Sequence, residues 1–343
     1  RKLIALAGSP TAIFSDEALL RHHGTGARWC AEFRREDYLR VAEAQYQKCR
    51  QQGVTCVPIT GPQYPGNLLH CPDAPLLLFQ KGKVPDRDRP ALAVVGTRKM
   101  TADGRAFCRA LIRGLLPYKP SIISGFAYGV DICAQAAAMD LGLQTVACMA
   151  HGLDQVYPAA HRAYVPHLLE NGGMLSECWL GQSPRPELFL RRNRIIAGLS
   201  VATVVIESAE KGGSLVTADL AFGYDREVFA VPGKPGDPMS AGCNALISQQ
   251  KAQLLRSAED LAQAMGWEPV EKAGKCTSFE VPDHWPEEAR RLFGILREKG
   301  AVHADTIARE IGIPIPDVLS LLLRMEMKGI VGHSGGNTYS LTI

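Results

Sequence analysis

From Ala91 onward, short apolar runs alternate with amphipathic stretches of helical period. The runs are ALAVVG from Ala91, SIISG over 121–125, TVACM over 145–149, Gly173 to Glu177, 202–207 and 227–231. Between them the pattern predicts helices over 103–116, 131–141 and 161–171, one beginning near Asn193, and one over 214–225. Uninterrupted apolar strands alternating with helices indicate an α/β fold, a doubly wound Rossmann-like parallel sheet. Ahead of it, residues 1–53 read as a small helical domain. Ser15 with Asp16 and Glu17 starts one helix, and Glu36 to Gln52 carries Leu39, Ala42, Tyr46 and Cys49 at helical spacing. Strands at 54–59 and 76–79 flank the turn GPQYPG, and 81–90 is a polar, proline-flanked connector. Helices at 287–299, 304–311 and 315–328, then a hairpin, predict a C-terminal winged helix. In its last helix Leu319, Leu322 and Leu323 are the expected core face. The expected boundaries are 1–53, 54–262, a linker over 263–285, and 286–343.

Composition narrows the function classes. The 343 residues exceed one ordinary core, and 46% hydrophobic content supports a large buried interior. No apolar run reaches the ~18 residues of a membrane span, and no secretory signal is visible, although the chain begins at Arg1. Ten cysteines without a CxxC pair suggest core thiols in a reducing cytoplasm. Nine histidines form no HxxxH or HExxH, so neither a metal nor a cofactor is expected. A net charge of +3 is mild, so nucleic-acid binding would need a local patch.

Candidate chemistry gathers at strand ends, where open α/β sheets bind ligands. Gly96, Thr97 and Arg98 end the first central strand. A small residue there admits backbone N–H groups to an anion, and Arg98 adds a charged contact. Ser124, Gly125, Phe126 and Gly129 form a glycine loop before a helix that Asp131 is expected to cap. The loop is neither GxGxxG nor a Walker A sequence. Lys211, Gly212, Gly213, Ser214 and Thr217 repeat the arrangement, with hydroxyls that either cap the helix or bind phosphate. Arg191, Arg192 and Arg194 surround Asn193, the expected N-cap. Three cations at a helix N-terminus are unfavourable by roughly 0.3–1 kcal/mol each unless an anion is present. Asn244 is expected to cap a helix over 244–251. Glu177 and Glu207 both end strands, where partners of the arginines are the commoner reading. His151 and His161 lie near Asp154 without forming a nucleophile–base pair, so no catalytic residue is assigned.

Together AVVGTR, SGFAYGVD, GLDQVYP, GGMLSE, FLRRNRIIAGLS, VVIESAEKGGSLVTADLA, EVFAVPG and GCNALI resemble, in order, the DNA-processing protein A family, DprA or Smf. The N-terminal helices resemble its sterile-alpha-motif (SAM)-like domain without the first helices, and the C-terminus its winged helix. The resemblance implies a non-enzymatic protein that binds and protects single-stranded DNA, loads the RecA recombinase onto it in natural transformation, and forms a homodimer through the Rossmann domain. It carries the phosphate contact to Gly96, Thr97 and Arg98 and the glycine loop to Gly125–Gly129. The basic motif falls on Arg191 to Arg194, and the glycine–serine loop on Gly212 to Ser214. The bases would stack on Phe126 or Tyr128. The chain departs from the family pattern at Gln135, at Ala159 and Ala160, and at Gln250 and Lys251. The competing reading is a Rossmann-type nucleotide phosphoribohydrolase, whose loop carries a catalytic Glu that GGSLVTADLA lacks. A transcription regulator is a third reading, set against the acidic residues of helix 315–328.

Overall fold

The computed structural model describes Ile4 and residues 35–85, 89–270, 285–327, 330–333 and 337–341. The expected helix at Ser15 and most of the expected linker lie outside them. The described residues fall into two units, divided after Val270.

The first unit is built on a nine-stranded sheet. Its strands are β1 (Thr55–Pro58), β2 (Leu77–Gly82), β3 (Ala91–Val95), β4 (Ser121–Ser124), β5 (Thr145–Cys148), β6 (Gly173–Ser176), β7 (Ala202–Val205), β8 (Glu227–Ala230) and β9 (Gln253–Leu254). The order across the sheet is β1-β2-β6-β5-β4-β3-β7-β8-β9. From β6 to β9 all pairings are parallel, whereas β1 and β2 add an antiparallel edge. Strands β3 to β7 are buried along their whole length. That burial is why they read as unbroken apolar runs rather than as an alternation.

The helices are α1 (Arg35–Gln51), α2 (Gly66–Leu69), α3 (Ala102–Gly114), α4 (Val130–Asp140), α5 (Val165–Asn171), α6 (Pro186–Leu199), α7 (Gly213–Gly223), α8 (Ala241–Ser248) and α9 (Ala258–Ala264). Two apolar layers cover the two faces of the sheet. On one, Ile195, Ile196 and Leu199 of α6 join Ala218 and Ala221 of α7. On the other, Leu111 and Ile112 of α3, Ala134 and Ala138 of α4 and Leu261 of α9 pack together. The eight cysteines among the described residues are free thiols, and all but Cys56 are buried.

The strand order reverses at β3. Successive strands β4, β5 and β6 run away from it on one side, and β7 returns to its other side. The carboxyl ends of β3 and β7 therefore flank the topological switch point, where a crevice opens in such sheets. Those ends are stitched together: Thr97 N–H donates to the Glu207 carbonyl at 2.7 Å, and Val130 N–H to the Thr97 carbonyl at 3.2 Å. The Glu207 carboxylate accepts from Thr101 N–H at 2.9 Å and from the Thr101 hydroxyl. Thr101 caps α3 by accepting from Gly104 N–H at 3.0 Å, so a carboxylate sits at the positive end of that helix.

The second unit holds α10 (Glu287–Lys299), β10 (Val302–His303), α11 (Ala304–Ile311), α12 (Ile315–Met327), β11 (Val331–His333) and β12 (Thr338–Leu341). Its sheet order is β10-β12-β11, antiparallel throughout. The pattern had shown only the last two strands, because β10 is two residues long and pairs across a distant stretch of chain. In α12 the core face is Val318, Leu322 and Met325, while Leu323 is 57% exposed. Of the expected face, Leu322 is buried and Leu319 packs against the core, and Leu323 alone turns out to solvent.

Gly129 ties α4 to the end of β3. Its φ is +80°, and a Cβ there would collide with the Thr97 carbonyl oxygen. Gly129→Ala should lower unfolding stability by about 1 kcal/mol or more. The measurement is a urea titration, with the midpoint falling at unchanged slope.

Candidate functional site

The helix carrying the basic cluster starts earlier than its polar residues suggest. Helix α6 begins at Pro186, with Arg185 extended before it and no side-chain cap. Proline suits the first helical position because its fixed φ fits and its missing N–H has no helical partner there. Asn193 is therefore no N-cap, and the arginines do not crowd the positive end of a dipole. They sit mid-helix, where Arg191 and Arg194 share one partner and Arg192 turns to others.

Arg192 is 4% exposed. Its Nη1 donates to the Gly125 carbonyl at 2.7 Å and to the Cys148 carbonyl. One guanidinium thus joins the loop after β4 and the last residue of β5 to α6. The Asp131 carboxylate lies in the same buried cluster and accepts from Gly125 N–H at 3.1 Å. Burial pushes the Asp131 carboxyl up, opposed first by the Arg192 charge and then by backbone hydrogen bonds. Burial likewise weighs against the Arg192 charge, opposed first by Asp131. Gly125 is wedged between them: a Cβ would lie 2.6 Å from both Arg192 Nη atoms and from Asp131 Oδ2. Asp131 is accordingly not the helix cap expected of it, and Gly129 holds that position. Asn193 reaches the other way, donating to the Gly213 carbonyl at 3.4 Å.

Between these anchors lies a cavity of about 240 Å³ at the switch point. Of the expected site residues, Gly96, Thr97, Arg98, Arg192, Asn193, Gly212, Gly213, Ser214 and Thr217 line it. Arg98 is exposed there. Gly213 and Ser214 open α7, and first-turn N–H groups have no carbonyl within their own helix. Apart from its chain neighbours and its own helix, nothing lies within 4 Å of where a Gly213 Cβ would stand, so this helix end faces open space. Ser214 does not cap α7. Its hydroxyl donates to that of Ser208 at 2.9 Å.

Phe189 also lines the cavity and had not been singled out. The guanidinium carbons of Arg98 and Arg192 lie 5.4 and 5.8 Å from its ring centre. Phe189, Arg192 and Asn193 are spaced i, i+3, i+4, so they share one helix face. That spacing was the available signal.

The other expected residues lie elsewhere. Ser124 is fully buried and donates to the Val94 carbonyl at 2.6 Å. Phe126 is fully buried, so it cannot offer a stacking face. Its φ of +57° puts a bulky residue in the left-handed region. Gln135 accepts the Phe126 N–H at 3.2 Å, and His161 Nδ1 lies 2.8 Å from its carbonyl. Gln135, a departure from the family pattern, thus holds this loop. Arg191 and Arg194 both pair with Glu177, Arg191 at 2.8 Å, and Arg194 also reaches the Asp73 carbonyl. Lys211 is exposed outside the cavity lining. Asn244 lies inside α8, not at its start, and its amide exchanges two 3.1 Å hydrogen bonds with the Gly233 backbone.

The strand-end carboxylates share no crevice. Glu177 is held by arginines and Glu207 by Thr101. His151 Nδ1 lies 2.9 Å from the Gly152 carbonyl, and burial lowers its pKa. Asp154 accepts from Gly181 N–H at 2.8 Å. Among the described residues, then, these groups form no relay.

Arg192→Leu should strand Asp131 and two carbonyls, at a cost of roughly 3–5 kcal/mol. The sign of its pH dependence follows from Asp131. A carboxyl whose folded pKa is raised stabilises the fold below its unfolded value, and that stability is lost as pH rises through the folded pKa. Without Arg192 the upward shift grows, so denaturant melts should find the variant more stable at mildly acidic than at neutral pH. A flat profile would remove Asp131 from the account.

The family model of DNA recombination-mediator protein A matches residues 55–266, and that of the DprA winged helix domain residues 280–337. Protein Smf of Escherichia coli (strain K12) is 35% identical over 287 residues, covering 82% of this chain and 75% of its own. DNA processing protein DprA of Streptococcus pneumoniae is 37% identical over 226 residues, covering 66% and 79%. The X-ray structure of pneumococcal DprA matches with a TM-score of 0.57 at 31% identity, over 78% of this chain and 87% of that one. DNA processing protein A from Helicobacter pylori, described for its single-stranded DNA binding mode, matches at 0.56 and 27%, over 63% and 97%. A mostly parallel sheet with its switch-point cavity, a winged helix and these likenesses agree: the chain belongs to the DNA recombination-mediator protein A family, the DprA/Smf proteins.

Proposed function

We propose that the switch-point cavity holds the backbone of single-stranded DNA, with Arg98 and the N–H groups of Gly213 and Ser214 at the start of α7 as the phosphate ligands. The observation that carries this is the combination in one cavity of an exposed arginine, an open helix N-terminus and the ring of Phe189. An anion suits the first two, and a base suits the third. The binding mode described for the Helicobacter pylori relative supports the same reading. Arg192 and Asn193 act by position, holding the walls. Arg191 and Arg194, engaged by Glu177, are not phosphate ligands of this cavity.

On this reading the protein is a binder, not an enzyme. It protects single strands and hands them to the RecA recombinase during transformation, in the cytoplasm and as a homodimer through the Rossmann unit. The phosphoribohydrolase alternative is disfavoured because the helix after Gly212 carries no glutamate where that chemistry needs one. Among the described residues no helix is long and apolar enough to cross a membrane.

The test is a binding titration with oligo-dT and with duplex of equal length at two salt concentrations. Single strands should bind more tightly, and affinity should fall as salt rises. Arg98→Ala should lower affinity about tenfold, the scale of one charged contact. Equal affinity for both forms would sink the proposal.

A further inference from the structure

The loops after β4, β5 and β6 each put at least one aromatic ring into solvent. Tyr128 is 49% exposed, Tyr157 47% and Trp179 43%. These strands are adjacent and parallel, and neighbouring strands lie ~4.8 Å apart. Their carboxyl ends therefore form a row leading away from the switch point. One exposed aromatic alone would be ordinary, but three in one row give that edge a repeated flat apolar surface with a polar handle.

The rings are braced. The Tyr157 ring centre lies 5.8 Å from that of Phe189 in the cavity wall. Tyr128 packs edge-on to His161 at 4.9 Å, and Trp179 rests on Phe79 at 5.0 Å. The loop holding Trp179 is tied to the loop holding Tyr157. Gly152 N–H and the Gln155 amide both donate to the Gln182 carbonyl at 2.9 Å, and Asp154 takes the Gly181 N–H. A Cβ on Gly152 would come within 2.5 Å of the Trp179 carbonyl oxygen, so the two loops are in contact. Exposed cations stand among the rings. Arg191 shares a hollow of about 290 Å³ with Trp179, and Arg162 is exposed one residue beyond His161. Rigid aromatic faces interleaved with arginines suit a single-stranded nucleic acid, whose bases stack while its phosphates find the cations. A protein partner would favour one continuous apolar patch instead.

We infer that Tyr128, Tyr157 and Trp179 form a stacking track that carries a single strand from the cavity across the ends of β4 and β5 to that of β6. The inference rests on the proposed single-strand binding at the cavity and extends it in length and direction.

Its test compares oligo-dT of ~4 nucleotides, enough to fill the cavity, with one of ~12, within the span of such binding surfaces. Wild type should bind the longer strand more tightly and show quenching of indole fluorescence. Trp179→Ala should weaken the longer complex roughly fivefold or more, as expected for one lost stacking contact, and reduce the quenching. Trp179→Leu keeps an apolar side chain against Phe79 without a stacking face, and should behave the same. Both variants should bind the short strand as wild type does, whereas Arg98→Ala should weaken both complexes. Wild-type affinity of both Trp179 variants for the longer strand would overturn the track while leaving the cavity reading intact. No binding of either strand by wild type would overturn the cavity reading, and the track with it.

Discussion

The architecture of the site depends on one buried guanidinium. Arg192 donates to carbonyls of the loop after β4 and of the last residue of β5 while its backbone belongs to α6. Three elements distant in sequence are therefore fixed to one another at the carboxyl edge of the sheet. A guanidinium can do this because its donors are set in a rigid plane and its charge survives burial. Lysine, with a mobile point charge, could not hold two carbonyls in fixed directions. The arrangement tolerates burial because Asp131 sits in the same cluster, so the charge is compensated where water is excluded.

Several glycines take their meaning from that constraint. Gly125 reads in sequence as part of an anion cradle, but it is the space Arg192 and Asp131 require. Gly129 lets the loop pass against Thr97 and start α4. Gly213 differs: nothing stands where its side chain would be, and its helix end opens on the cavity. Of the glycine motifs, then, one builds the wall and another forms the open face. The strained backbone at Phe126 belongs to the wall as well, held from both sides by Gln135 and His161. Strain of this kind persists only where surrounding contacts over-determine it.

Much of this was legible in the chain and some was not, for identifiable reasons. The parallel strands were readable because burial on both faces leaves no polar alternation to confuse the pattern. Their order was not, since pairing joins residues far apart, such as Val94 and Val204. The start of α6 was misread because Asn193 is a strong capping residue by type, and a mid-helix Asn bonding to the next loop looks identical in sequence. Pro186 was the better signal. The arginine cluster misled in a related way. Adjacent arginines suggest one shared anion, but successive helix residues point about 100° apart. Arg192 turns to the sheet edge while Arg191 and Arg194 meet Glu177. Phe189 went unnoticed because a lone aromatic on a helix usually fills a core.

The electrostatics also constrain what kind of binder this can be. With a net charge of +3, the chain cannot draw a polyanion by its overall field. At the cavity the exposed cation is Arg98, because Arg192 is buried and Arg194 is committed to Glu177. Counterion release scales with the phosphates neutralised, with a slope near −0.7 per contact for single strands. A few such contacts give modest affinity at physiological salt. On the proposed reading, a tight complex would draw on terms that salt screens less: backbone N–H groups at the start of α7 and stacking on aromatic faces. Stacking would also account for the proposed preference for single strands, which charge alone would not. A duplex offers more phosphate per unit length than a single strand, so a purely electrostatic site would favour it. Only an unpaired base presents a free face to a ring, and a surface dominated by aromatic contacts selects the single strand without reading its sequence.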